Sequence, residues 1–243
     1  MSTQTAPRSR ADTRPAARRS KNIGARPERL RLWLMLVLTF VTGVVDVVGY
    51  LGLDYIFTGN MTGNVVILAM GFAGATSLPV VGPLVATGCF LVGAAAAGAV
   101  LRRSANGWNR RVTVLLGAGA FVLLASGTIL VLEPDAGGST VGTALASAIA
   151  LHMGSQALIA RHLAVKDMTT VVITSTMTSL AGESFYRKDG PRLLNRRTGA
   201  IAVLFLGAGL GAVLLLHVHI SVPVFVGAAL TALVVLVGAR RWG

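Results

Sequence analysis

Charge is scarce in this chain, and negative charge scarcest. Charged residues make up 13% of the 243, and only nine are Asp or Glu, where a soluble globular protein carries roughly 25% charged residues. So few charges cannot clothe a water-facing surface. With a hydrophobic fraction of 53% and a mean hydropathy of +0.71, the chain reads as an integral membrane protein. Cysteine is nearly absent too. Cys89 stands alone inside an apolar run, which excludes a disulfide framework and a cysteine metal site and leaves a small packing residue. His217 and His219 form H-x-H, but residues two apart on a helix do not face one another, so no metal site is expected. His152 reads as an in-span hydrogen-bonding group and His162 as an interfacial residue. There is no nucleophile elbow, HExxH, Walker loop or dinucleotide fingerprint. The run "GAGLGA" at 207–212 has no strand before it and reads as close helix packing. Neither an enzyme nor a cofactor is expected.

What the chain does have is length of apolar sequence. Runs near the ~20 residues needed to cross a bilayer cover 32–53, 79–101, 112–132, 142–161, 198–218 and 220–239. Six crossings and an all-α fold follow. The 22 basic residues fall in five clusters, at 8–31, 102–111, 161–166, 187–197 and 240–241. The loops at 54–60 and 133–141 and the turn near His219 carry none. Because Lys and Arg flanking membrane spans stay cytoplasmic, both termini are expected inside. Trp33, Trp108 and Trp242 fall at the cytoplasmic span ends, where interfacial anchors belong. The net charge of +13 is thereby accounted for without nucleic acid. Residues 1–30 are Arg-, Pro-, Ala- and Ser-rich without apolar periodicity, as in a disordered cytoplasmic tail held near anionic lipid. Residues 31–139 and 140–243 then form two membrane halves, and an oligomer is left open.

One short stretch does not fit a simple bundle. "YIFTGNMTGN", residues 55–64, writes Thr-Gly-Asn twice beside hydrocarbon. If 61–75 crossed fully, four arginines at 102–111 would lie outside, against the charge rule. Fifteen helical residues also cover only ~22 Å of a ~30 Å core. The segment therefore reads as re-entrant from the outer side. By the same reasoning "MTTVVITSTMTSLAGE", 168–183, re-enters from the cytoplasm, since basic clusters flank it on both sides. "MTGNVVILA" at 61–69 lies over "ITSTMTSLA" at 173–181 with three identities. The order of span, short polar segment, span, span recurs in both halves, and three crossings per half invert the second. That is the inverted repeat of secondary transporters, whose interrupted segments meet near the midplane to form the binding site, and a polar mid-membrane site between the two segments is expected here.

Asp46, "FTGNMTGN", "MGSQALIARHL" and "TTVVITSTMTSLA" together resemble the YoaK family of bacterial membrane proteins, a family of unknown function. The resemblance runs from about 34 to 239 and matches at Asp46, Phe57, Met61 to Asn64, Gly154, Gln156, Arg161, Thr169, Thr170, Thr174 and Thr176. It implies a bacterial inner-membrane protein and supplies no substrate.

The candidate ligand-binding residues are Asp46, Thr62, Gly63, Asn64, Gln156, Thr174, Ser175 and Thr176. Asp46 is the acidic residue well inside a span, where charge costs roughly 2.5–3.5 kcal/mol on insertion scales and needs a partner. It reads either as a proton- or cation-coupling carboxylate or as an acceptor for Thr62, Asn64 or the free N–H groups opening the short helix. Gln156 reads as its counterpart in the second half, or as an interhelical hydrogen bond. The Thr, Ser and Gly groups point half-helix N-termini at a small polar or anionic solute, or bond back to helix carbonyls and hold the bundle together. Two functions follow: a small-solute transporter or channel, and a membrane scaffold or sensor without transport.

Overall fold

The computed structural model describes residues 14–75, 78–104, 107–163 and 196–242. Among them every regular element is helical: α1 (Arg14–Val47), continued by a π-helical turn (Val48–Gly52), then α2 (Met61–Phe72), α3 (Val81–Leu101), α4 (Arg110–Leu132), α5 (Thr140–His162), α6 (Arg196–His217) and α7 (Ser221–Trp242). Six helices are long and apolar enough to cross a membrane, at Arg29–Gly52, Val81–Leu101, Arg110–Leu132, Thr140–His162, Thr198–His217 and Ser221–Trp242. These are the six apolar runs of the sequence. The helical backbone also extends back to Arg14, into the stretch that composition marks as tail. The second polar segment, 168–183, lies outside the described residues.

The span ends are set by local chemistry. Asn109 caps α4 by accepting from Arg111 N and Val112 N, and the Ser139 hydroxyl caps α5 by accepting from Gly142 N. His219 does the same before α7, its ring accepting from Ser221 N at 3.2 Å, so H-x-H serves a helix start. α2 has 12 residues, about 18 Å of helix, too short to cross.

Two ends of the bundle differ in charge. Arg31, Arg102, Arg103, Arg110, Arg111, Arg161, Arg240 and Arg241 gather at one end. There Trp108 stacks on Trp242 with centroids 5.7 Å apart, and Arg31 lies over the Trp242 ring. The other end carries the 53–60 and 133–139 loops and the His219 turn. Gly52 sits against Ile220 and the Gly137 backbone, and Ile56 against Gly82 at the start of α3. The chain thus leaves α1 and enters α3 at the same, arginine-free end.

α1 and α5 are the inner helices, 67% and 72% buried over their apolar windows, against 11% for α6. Phe205, Leu206, Val213 and Leu216 of α6 are exposed, as lipid-facing side chains are. The principal pairs are α3 on α5, α1 on α6 and α4 on α7, with α1 also touching α7 and α5 touching α4. Glycine permits the first two. A methyl on Gly43 would overlap the Leu204 carbonyl of α6, and one on Gly207 the Phe40 carbonyl of α1. Gly93 meets the Leu151 carbonyl of α5, and Gly154 the Phe90 carbonyl of α3, in the same way. Small residues at such crossings let backbones touch, the usual basis of helix association in lipid.

Candidate functional site

The polar stretch after α1 is built onto that helix by one carboxylate. Asp46 Oδ1 accepts from the backbone N–H groups of Thr58 at 3.0 Å, Gly59 at 2.6 Å and Asn60 at 3.4 Å, and from the Thr58 hydroxyl at 3.2 Å. Charge-assisted bonds of this kind are about twice as strong as neutral ones. Gly59 allows the approach, since a methyl there would lie 3.0 Å from Thr42 Cγ2 and 3.4 Å from Oδ1 itself. Of the two sequence readings of Asp46, the acceptor geometry is therefore present. Its donors are residues 58–60, ahead of the helix, in place of Thr62 and Asn64.

Asn64, fully buried, holds the stretch from the other side. Its Oδ1 accepts from Phe57 N at 2.9 Å and its Nδ2 donates to Phe57 O at 2.7 Å. Asn60 caps α2 by accepting from Gly63 N at 3.3 Å. Asp54 and Tyr55 take left-handed φ values of 68° and 57° to turn the chain, a conformation that costs non-glycine residues energy.

The result is a cavity of about 690 Å³ between α1, the 57–63 stretch and α6, lined by Thr42, Asp46, Tyr50, Phe57, Asn60, Thr62, Gly63, Leu204 and Ala208 among others. Asp46 lies about 9 Å along the helix from Gly52 by helical rise, while Thr42, Gly43 and Ala208 lie near the middles of their spans, so the cavity reaches from the Asp46 side into mid-span. Of the predicted residues, Asp46, Thr62 and Gly63 line it. Gln156, 1% exposed, stands behind α1, donating to Thr42 Oγ1 at 3.1 Å and to Leu38 O at 3.4 Å. It reaches the cavity only through Thr42. Thr174, Ser175 and Thr176 lie outside the described residues. Sequence reasoning passed over Thr42 and Tyr50, and gave Phe57 as a position of the family resemblance without placing it in the site. The first two are four residues before and after Asp46, one helix face by spacing, and that signal was available.

Among the described residues no three of His, Cys, Asp and Glu converge as metal ligands would. His152 has no hydrogen-bond partner among them, against the sequence expectation, and packs its ring on Gly119 of α4. Ser155 Oγ and Gln156 Oε1, on the same face of α5, are likewise unpartnered there.

A model of a protein family of unknown function, DUF1275, matches residues 34–237. The chain belongs to this family. It is also 29% identical over 183 residues to the UPF0700 transmembrane protein YoaK of Bacillus subtilis (strain 168), covering 72% of this chain and 80% of that one. No solved structure is a significant match. The YoaK resemblance read from the Asp46, "FTGNMTGN" and "MGSQALIARHL" motifs is thus supported over most of the chain, which is a transmembrane protein of an uncharacterised family.

Proposed function

We propose that the protein is a small-solute transporter or channel of the bacterial inner membrane, without enzymatic activity, with both termini cytoplasmic. The observation that carries this reading is the cavity. It places the carboxylate of a spanning helix, the opening turn of a helix too short to cross and an irregular backbone stretch around one space of about 690 Å³. Irregular backbone at membrane depth is tolerated where it is buried in protein or lines a wet cavity. α2 is re-entrant on this reading, because the chain leaves α1 and enters α3 at one end.

The glycine crossings support an inverted repeat. Gly43 meets the carbonyl three residues before Gly207, and Gly207 the carbonyl three before Gly43. Gly154 and Gly93 stand in the same reciprocal relation. Exchanging α1 with α5, α3 with α6 and α4 with α7 leaves the pattern of helix pairs unchanged. Such a relation is what a two-fold between halves produces. The second polar segment of the sequence reading, 168–183, lies outside the described residues. Asp46 couples solute movement to protons.

A scaffold or sensor reading has one observation in its favour: Asp46 Oδ1 and both polar atoms of Asn64 are spent on holding the 57–60 stretch. Labelling separates the two. In a Cys89→Ala background, a Thr62→Cys protein should react with a small water-soluble thiosulfonate if the cavity is wet. The transport reading further expects a stabilising solute from a thermal-shift screen whose proteoliposome flux depends on pH in the parent and loses that dependence in Asp46→Asn. An unreactive Thr62→Cys protein with no stabilising solute would leave the scaffold.

A further inference from the structure

We infer that the cavity receives its solute by an organic cationic group, an ammonium of the amine or quaternary class. The group is held between the second carboxylate oxygen of Asp46 and the rings of Tyr50 and Phe57. This deepens the transport reading by naming a substrate class and rests on the same cavity.

Asp46 is the charged residue in the lining, and no Lys, Arg or His joins it there among the described residues. Among the described residues all four donors that reach the carboxylate go to Oδ1, so Oδ2 has no partner among them. A bare half-helix N-terminus attracts anions, but this one is half occupied. Of the four N–H groups that open α2, that of Asn60 bonds Asp46 and that of Gly63 bonds the Asn60 side chain, while Thr58 and Gly59 just ahead of the helix also bond Asp46. An anion would find half of the opening donors taken and an acidic side chain beside them. A cation would find an unused carboxylate oxygen in surroundings of low dielectric, where opposite charges attract strongly.

The aromatic residues narrow the class. Tyr50 and Phe57 stack with centroids 4.8 Å apart and an interplanar angle of 24°, and both line the cavity. Each ring covers one face of the other, so an alkylammonium gains cation–π attraction at the ring surface outside the stack, and its carbon substituents match the apolar walls of Val47, Val66, Leu204 and Ala208. A bare metal ion would need several oxygen ligands and much less room. About 690 Å³ falls within the ~300–1,000 Å³ typical of small-molecule pockets.

The test is binding of tetramethylammonium and ethylammonium chloride to the purified full-length protein in nanodiscs, by calorimetry and thermal shift, against sodium chloride and sodium phosphate. The organic cations should bind saturably where the sodium salts do not. Asp46→Asn keeps an oxygen for the 58–60 donors and should weaken binding more than tenfold. Tyr50→Leu, which leaves the Asp46 bonds untouched, should weaken it roughly 2- to 5-fold, the range that 0.5–1 kcal/mol of cation–π attraction corresponds to. Binding should also weaken at low pH as protons compete for Asp46. Tyr50 is the other titratable side chain in the lining among the described residues, and α6 contributes only Leu204 and Ala208. If Asp46→Asn fails to fold, the Tyr50→Leu and pH results decide. Phosphate binding without cation binding would overturn the inference, as would cation affinity unchanged in Asp46→Asn or no organic cation bound at all. A cation that binds but is never moved across proteoliposomes would sink transport and leave the cation site standing. Flux of an anion or an uncharged solute would do the reverse.

Discussion

Three glycines in "GAGLGA" look alike in sequence but should respond differently to one methyl group. Gly207 lies on the α1 crossing, where an added Cβ would overlap the Phe40 carbonyl oxygen and stand 3.0 Å from its carbon. Gly209, two residues on, has nothing within 4 Å. On α3 the same contrast pairs Gly93, whose Cβ would stand 2.7 Å from the Leu151 carbonyl carbon, with Gly88, which is open. The obstacle is backbone in each case, so no rotamer change relieves it. To restore ordinary contact from 3.4 Å outward, α3 and α5 must part by at least about 0.7 Å, forfeiting close packing along the crossing. Overpacking of this kind costs about 1–3 kcal/mol. At roughly 2–4 °C per kcal/mol for a chain of this size, Gly207→Ala and Gly93→Ala should each lower the melting temperature by roughly 2–12 °C. Gly209→Ala and Gly88→Ala should be neutral or gain up to about 1 kcal/mol of helix propensity. A thiol-reactive dye reading exposure of the half-buried Cys89 on heating in detergent measures all four. Equal effects of Gly207→Ala and Gly209→Ala would show that α1 and α6 do not cross where described. A large loss at Gly207 with none at Gly93 would remove the equivalence of the two crossings and with it the main support for the repeat.

Further outcomes follow from the loop and its partners. In a Cys89→Ala background, single cysteines at the exposed Tyr55 and Asp135 should label from outside intact cells and one at Ser104 should not. Labelling at Ser104 would invert the topology and end the re-entrant reading of α2. Asn64→Leu leaves the Phe57 N–H and C=O without partners and should cost about 2–4 kcal/mol, from two lost bonds and the desolvated groups left behind, read as lowered melting temperature and expression. A wild-type melting point would show that Asn64 does not hold the stretch. Asp46→Ala should be markedly less stable than Asp46→Asn, because only the amide offers an oxygen to the donors of residues 58–60. Equal stability of the two would mean that those bonds contribute nothing.

The spans were legible because twenty apolar residues bounded by arginine admit few other structures, and charge alone sorted the loops by end. The site was legible only in part. "FTGNMTGN" announced an irregular stretch near Asp46, but the donors proved to be residues 58–60, since Asn60 is the N-cap and the carboxylate meets the chain before the helix begins. Asn64, read as a ligand contact, lies one turn inside α2 with its side chain folded back onto Phe57. Neither assignment follows from spacing, because both depend on where the helix starts to within one residue. Gly207 lay within the run read as close helix packing, but Gly43, Gly93 and Gly154 were hidden as crossing points for a different reason. In spans this rich in glycine and alanine, only the crossing point decides which small residues are indispensable.

The proposed two-fold relates scaffold, not chemistry. Gly154 stands at 154 against 43 for Gly43, a separation of 111, and in that register the counterpart of Asp46 is Ala157 and not Gln156. The second half therefore brings no matching carboxylate to the described part of the bundle. Its polar residue, one position earlier, is spent on gripping Thr42 across the joint between halves. The halves are otherwise interlocked, since α1 pairs with α6, α3 with α5 and α4 with α7, one helix from each half every time, while α1 and α5 barely touch. If the α1–α6 and α3–α5 pairs rock against each other, each moves as a body, since its backbones are already in contact. The change is then taken up where α1 meets α5. The Gln156–Thr42 bond spans that seam, and Thr42 also lines the cavity four residues from Asp46. A motion that opens the seam must break this bond and shift the wall of the site. Occupancy beside Asp46 and the position of the α3–α5 pair are thereby tied to one hydrogen bond.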